Sequence, residues 1–209
     1  MQFNSYIFIL GYLPILIIGY FGLNRINPVA GKLFLIVTSA IFYIYGGWNI
    51  AILLAASIVV NYFFAVIINH TGRLLCAGVF SNAALLFYFK YFNFFILNVN
   101  NVFQKNFTLK EIILPLGISF FTFQQIMYLV NVYKKNIEKV CLLDYLAYIL
   151  YFPKLLMGPI VEPTELISQM NDSELKHINW DNISYGIKIF SFGLFKKMIF
   201  ADTFSTAVA

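Results

Sequence analysis

The stretch Leu114-Pro-Leu-Gly-Ile-Ser-Phe-Phe-Thr-Phe-Gln-Gln-Ile-Met-Tyr-Leu-Val-Asn131 is apolar enough to lie in a membrane. It nevertheless carries Ser119, Thr122, Gln124, Gln125, Tyr128 and Asn131. Lipid offers these groups no hydrogen-bond partner, so they are expected to face protein or a water-filled cavity. At the α-helical period, Gln124, Tyr128 and Asn131 fall together at i, i+4 and i+7, with Gln125 beside them. Residues 112–132 therefore read as a helix, entered through Pro115, with one polar stripe turned into a bundle. Such a stripe can hold helices together, which residue type alone favours, or it can wall a substrate path.

The rest of the chain supplies the bundle. Of 209 residues, 61% are apolar and only 11% are charged, against about 25% charged in ordinary soluble domains. Mean hydropathy is +0.80. A soluble core cannot use this much apolar surface, so the expected class is an all-α, polytopic transmembrane helical bundle. The 24 Phe and 14 Tyr suit lipid-facing surfaces and interfacial belts. The net charge of +5 acts here as a topology signal, and no basic cluster with interleaved aromatics points to nucleic acid. Cys76 and Cys141 lie far apart without metal-ligand spacing, so they read as small apolar residues, and no metal is expected.

In chain order, residues 6–23 form the first apolar run. Met1-Gln-Phe-Asn4 has no positive charge before it, so a retained membrane helix is expected in place of a cleaved signal. Asn27-Pro28 is a turn signal, and 33–45 is a short uncharged run ended by Gly46-Gly47-Trp48-Asn49. Residues 50–68 are long enough to span, with Asn61 as a single polar residue suited to a helix–helix contact. Residues 74–97 contain Lys90. Their Phe- and Tyr-rich end favours a helix that stops near Lys90 and continues along the interface, with snorkelling as the alternative. Residues 141–157 carry Asp144 and are broken by Pro153 and Gly158-Pro159, as a broken or re-entrant element would be. An acid-rich loop over 158–182 precedes the last run, 183–201, which holds Lys188 and Lys196-Lys197.

Window lengths predict six or seven spans in one domain over residues 1–209. An outside N-terminus places Arg25, Lys32, Arg73, Lys134, Lys135 and Lys139 inside and the 158–182 loop outside, as the positive-inside rule prefers. A re-entrant 141–157 element would reverse everything after it.

Three segments together carry a resemblance. Leu114-Pro-Leu-Gly-Ile-Ser-Phe-Phe-Thr-Phe-Gln124 resembles the central signature of the membrane-bound O-acyltransferases. Tyr151-Phe-Pro-Lys-Leu-Leu-Met-Gly-Pro-Ile160 and Gly193-Leu-Phe-Lys-Lys-Met-Ile-Phe-Ala-Asp202 resemble two further segments of a bacterial branch. That branch includes alginate and peptidoglycan O-acetyltransferases and the D-alanyl teichoic acid transfer protein. Gly46-Gly-Trp48 after Phe42-Tyr43 is loosely similar to its early aromatic turn. The match covers the front part of the family's length.

The resemblance implies a helical fold around a funnel, multi-pass in the bacterial inner membrane, with an essential histidine in the second half. His70 and His177 both lie in loops outside such a context and read as surface residues, so no catalytic residue is assigned in this chain. The chain reads as a fragment, inactive alone. Gln124, Gln125, Tyr128, Asn131, Pro153, Lys154, Gly158 and Pro159 are the candidate funnel-lining residues. Pro153 and Gly158-Pro159 would leave unpaired carbonyls facing a cavity. Lys154 reads as snorkelling to an interface, with attraction of an anionic donor as the alternative.

The activity implied is O-acetyl transfer from a cytoplasmic donor such as acetyl-CoA towards an extracytoplasmic polysaccharide, directly or through a partner transferase. No tightly bound cofactor is expected, and membrane lipid is the surrounding partner. A transporter or a non-catalytic membrane scaffold is the alternative. Lys196 and Lys197 read as topology anchors, and no i, i+4 ion pair reaches Asp202.

Overall fold

The computed structural model describes residues 3–68, 72–155 and 158–208. No strand occurs among them, and the chain is all-α. A π-helical turn, Ile7–Tyr12, leads into α1 (Leu13–Ile26), followed by α2 (Pro28–Ile44), α3 (Trp48–Ile68) and α4 (Gly72–Leu86). A second π-helical turn, Phe87–Tyr91, joins α4 to α5 (Phe92–Phe103). Then come α6 (Ile118–Tyr133), α7 (Leu142–Leu150), α8 (Phe152–Leu155), α9 (Pro163–Asn171) and α10 (Trp180–Phe195). A third π-helical turn, Lys196–Ala201, runs on into α11 (Asp202–Val208).

Three of these helical stretches are long and apolar enough to cross a membrane: Ile7–Ile26, Trp48–Ile68 and Gly72–Phe103, with Pro28–Ile44 apolar but shorter. Of the other apolar runs counted towards six or seven spans, those at 33–45, 112–132 and 141–157 fold as shorter helices, whereas 183–201, with Lys188, Lys196 and Lys197, lies in one continuous helical stretch from Trp180 to Val208. At a rise of about 1.5 Å per residue, a 16-residue helix such as α6 falls short of the ~30 Å hydrocarbon core.

The chain divides into two compact units, residues 1–34 with 172–209 and residues 35–171. In the first, Asn27 caps α2 by accepting from Val29 N at 2.8 Å, with Pro28 at the first helical position, where its missing N–H costs nothing. Asn179 caps α10, accepting from Asp181 N and Asn182 N at 2.9 and 3.1 Å. Phe8 approaches Phe190, their ring centroids 6.5 Å apart. The last π-helical turn changes the reading of Asp202. Its i→i+5 geometry brings Lys197 onto Asp202 as an exposed ion pair, a pairing that the α-helical period does not predict.

In the second unit, α6 packs against α3, α4, α7 and α9. Gly78 on α4 lets it approach closely, since a Cβ there would stand 2.8 Å from Leu129 Cδ1 on α6. Tyr43 at the end of α2 donates its hydroxyl to Leu116 O at 2.8 Å, and Phe42 packs on Phe152 with ring centroids 5.4 Å apart. Outward residues such as Val59 and Phe63 on α3 and Phe80 on α4 are exposed, as a lipid-facing surface requires.

Two sequence expectations change here. The helix does not stop near Lys90 but continues to Phe103, because Lys90 finds Ser119 Oγ at 3.3 Å and needs no helix end to reach a polar group. The α6 helix starts at Ile118, later than expected. Pro115 precedes it, and Gly117 makes the entry in the left-handed region at φ 72°, a conformation that glycine adopts without steric cost.

Candidate functional site: a buried polar centre on α6

The polar stripe of α6 divides between two neighbours. On one side Gln125 Oε1 accepts from Ser57 Oγ at 2.8 Å and from Asn61 Nδ2 at 2.7 Å, both on α3. Asn61 in turn exchanges bonds with Asn82 on α4: Asn82 Nδ2 donates to Asn61 Oδ1 at 2.5 Å and Asn61 Nδ2 to Asn82 Oδ1 at 3.3 Å. All four residues are buried. This network joins three helices, the cementing role open to polar residues inside a membrane bundle. Asn82 and Ser57 were not singled out in the sequence. The signal was there, because Asn61 and Asn82 are amides inside largely apolar helices.

On the other side Gln124 and Tyr128 face the broken element formed by α7 and α8. Gln124 Nε2 donates to Lys154 O at 3.4 Å. Tyr128 packs against Tyr145 and Tyr148 of α7, with ring centroids 4.7 and 5.9 Å away. Tyr148 donates its hydroxyl to Val161 O at 3.0 Å, and its ring carries the Lys154 amino group, with Nζ 3.1 Å from the centroid.

Lys154 does not snorkel. It is 3% exposed, and its Nζ has no hydrogen-bond partner among the described residues. The same holds for Thr122 Oγ1, Gln124 Oε1, Gln125 Nε2 and Tyr128 OH. Buried polar atoms normally find partners, so several unmet ones on two adjoining elements mark a place built to meet something polar.

The break in the 141–157 run is as expected, and two of its carbonyls find backbone partners. Helix α7 ends at Leu150 and α8 restarts at Phe152. Tyr151 O accepts from the backbone of Lys154 and Leu155, each at 3.2 Å, and Lys154 O accepts from Gly158 N at 3.2 Å. Gly158 is essential to that turn, since a Cβ there would lie 2.2 Å from Lys154 Cα. Pro153 and Pro159 are exposed at the edges of the turn, so they shape it without joining the polar centre.

Asn131 serves a third purpose. Its Nδ2 donates to Met127 O at 3.0 Å, and its Oδ1 accepts from Asn136 Nδ2 at 2.9 Å. It fastens the 134–140 loop to the end of α6. That loop and α9 then meet around one open cleft of about 240 Å³, lined by Tyr128, Asn136, Ile137, Lys139, Asp144, Thr164, Ile167 and Ser168. Residues on both sides of the broken element thus line the same cleft. The α7–α8 segment thus brings its two flanks to one cleft, and its C-terminal flank holds the helix α9 where the sequence suggested only loop.

His177 is exposed in the other unit, and His70 lies outside the described residues. Among the described residues, no group of three or more His, Cys, Asp or Glu could hold a metal ion.

The fold and this centre define a helical membrane protein that gathers amides, hydroxyls and one amine away from lipid. The chain belongs to the MBOAT, or membrane-bound O-acyltransferase, family, whose model matches residues 52–209. It is similar to a peptidoglycan O-acetyltransferase of Helicobacter pylori, 39% identical over 97% of this chain and 45% of that protein. It is also similar to proteins named "Probable alginate O-acetylase AlgI". Those of Pseudomonas aeruginosa and Pseudomonas putida are 31% and 32% identical over 97% of this chain, and over 40% and 43% of their own lengths. The chain thus spans less than half the length of these curated relatives. No solved structure matches it.

Proposed function

We propose that this chain is part of an O-acyltransferase that moves an acetyl group from a cytoplasmic donor towards an extracytoplasmic polysaccharide, with peptidoglycan as the favoured acceptor. The observation that carries this reading is the 39% identity to a peptidoglycan O-acetyltransferase over 97% of the chain. The lower identity to alginate O-acetylases keeps alginate as the second acceptor.

Acyl transfer to a sugar hydroxyl needs a base for the hydroxyl, donors for the oxygen that gains charge, and an enclosed path. The buried centre of Gln124, Tyr128 and Lys154 supports the second and third needs. Neither histidine supports the first, so the base is assigned to the part of the relatives' length that this chain does not span. The setting proposed is a multi-pass protein of the bacterial inner membrane with acetyl-CoA as donor. The basic 134–140 loop is taken as inside, and the cleft that α9 shares with it supports an inside position for α9 as well.

The test is deletion of the full-length gene followed by measurement of O-acetyl groups on purified peptidoglycan. Loss of acetyl supports the reading, and unchanged acetylation of both peptidoglycan and exported polysaccharide overturns it.

A further inference from the structure

Lys154 is a costly group to bury. An amine buried away from water and from any carboxylate loses hydration that protein contacts must replace. Here the contacts are few. Nζ rests on the Tyr148 ring at 3.1 Å from its centroid and has no hydrogen-bond partner among the described residues. A ring face offsets part of the desolvation of a cation but accepts no directed hydrogen bond from all its N–H groups.

The backbone nevertheless holds this residue firmly. Gly158 N and Gln124 Nε2 both reach Lys154 O, at 3.2 and 3.4 Å. The Tyr148 platform is itself tied to Val161 O at 3.0 Å. A flexible, strongly hydrated side chain is thus fixed inside by a turn that only glycine permits.

We propose that the Lys154 amino group is the donor that this site presents to the carbonyl oxygen of the acyl group being transferred. The inference rests on the acyltransferase reading and names a substrate-contacting residue for it. The neighbours select a carbonyl over a free anion. Gln124 Oε1, buried and also without a partner among the described residues, is an acceptor, and a carboxylate or phosphate oxygen would repel it. A carbonyl oxygen on Lys154 with the acceptor's hydroxyl donating to Gln124 satisfies both.

In the step, the hydroxyl oxygen bonds to the carbonyl carbon of an acyl thioester, and the C=O pair moves onto the oxygen facing Lys154. When that pair reforms the double bond, the carbon–sulfur bond breaks and the thiolate leaves with the sulfur electron pair. The hydroxyl proton passes through the base to the thiolate. The products are the acyl ester and the free thiol. Lys154 acts only where the carbonyl oxygen gains charge, the position at which a fixed donor favours the transition state.

The experiment complements a strain deleted for the full-length gene with wild type or Lys154→Met. It reads peptidoglycan O-acetyl, protein level in the membrane, and the thermal midpoint of detergent-purified protein. Loss of one transition-state donor typically lowers rate by about 100-fold or more, so acetyl is expected to fall to the deletion level. The Met protein should accumulate normally with an unchanged or higher midpoint, because it relieves a buried amine that lacks a partner among the described residues. Acetylation by Lys154→Met within about threefold of wild type overturns the proposal. So does a Met protein that fails to accumulate or melts lower, since the amine would then be a structural partner. If the wild-type gene restores no acetyl at all, the acyltransferase reading falls first, and the role of Lys154 falls with it.

Discussion

Asn61 Nδ2 on α3 lies 2.7 Å from Gln125 Oε1 on α6, and the same amide reaches Asn82 Oδ1 on α4 at 3.3 Å. One side chain therefore holds three helices in register. Interhelical hydrogen bonds in membranes contribute about 0.6–2 kcal/mol each. Asn61→Ala should lower the stability of the detergent-solubilised protein by about 1–3 kcal/mol, because it leaves Gln125 and Asn82 short of partners. Asn61→Asp, which keeps the acceptor and loses the donor, should be no better. Thermal unfolding in detergent checks both.

Gly158 predicts a harsher outcome. A Cβ there would meet Lys154 Cα at 2.2 Å, and backbone cannot move aside as a side-chain tip can. Gly158→Ala should cost about 3 kcal/mol, the upper end of the usual scale of overpacking, and break the Gly158 N to Lys154 O bond. At Gly78 the obstacle is the tip of Leu129 at 2.8 Å, so Gly78→Ala should be milder. The comparison is read as membrane accumulation and thermal midpoint of the two variants side by side.

Tyr43→Phe isolates a single bond. It removes the hydroxyl that donates to Leu116 O at 2.8 Å and keeps the buried ring. A loss of about 0.5–1.5 kcal/mol is expected, felt mainly in how the entry to α6 is held. Proteolytic susceptibility of the 104–117 segment in the variant, compared with wild type, reports it.

The shared cleft sets a topology test. Ile137 and Lys139 on one flank of the broken element line the same cleft as Thr164 and Ser168 on the other. With Cys76 and Cys141 replaced by alanine, single cysteines at Lys139→Cys and Ser168→Cys should label from the same membrane face with an impermeant maleimide. Intact cells and inverted vesicles should therefore give the same answer for both positions. Labelling from opposite faces would restore the straight-through arrangement that loop charges suggest.

Much of this architecture was legible in the residues themselves. The i, i+4, i+7 spacing placed Gln124, Tyr128 and Asn131 on α6, and Pro153 with Gly158-Pro159 located the break. The spacing did not say that one stripe would serve three purposes. Gln125 binds helices, Gln124 and Tyr128 face the broken element, and Asn131 pins a loop, and each depends on which neighbour arrives. Direction was equally hidden in the second element, because a break in a short apolar run looks alike whether the chain continues or turns back. Lys154 was misread for a related reason. Snorkelling is the default for a lysine near lipid, and only the three-dimensional position of Tyr148 makes burial an alternative. Lys90 was missed through a tertiary contact, a serine 29 residues away, and Asp202 through local geometry, an i→i+5 turn.

The π-helical turns at Ile7–Tyr12, Phe87–Tyr91 and Lys196–Ala201 act as rotational settings along otherwise regular helices. Each spends an additional residue in one turn, and one residue corresponds to about 100° of rotation about the helix axis. Deleting a single residue within Phe87–Tyr91 would leave α4 in place and swing the whole of α5 to a different azimuth. Asn93, whose side chain donates to Lys110 O at 2.7 Å, would then point away from the segment it now fastens. The order in which apolar and polar faces meet their surroundings thus depends on three local insertions as much as on the amino acids that fill the faces.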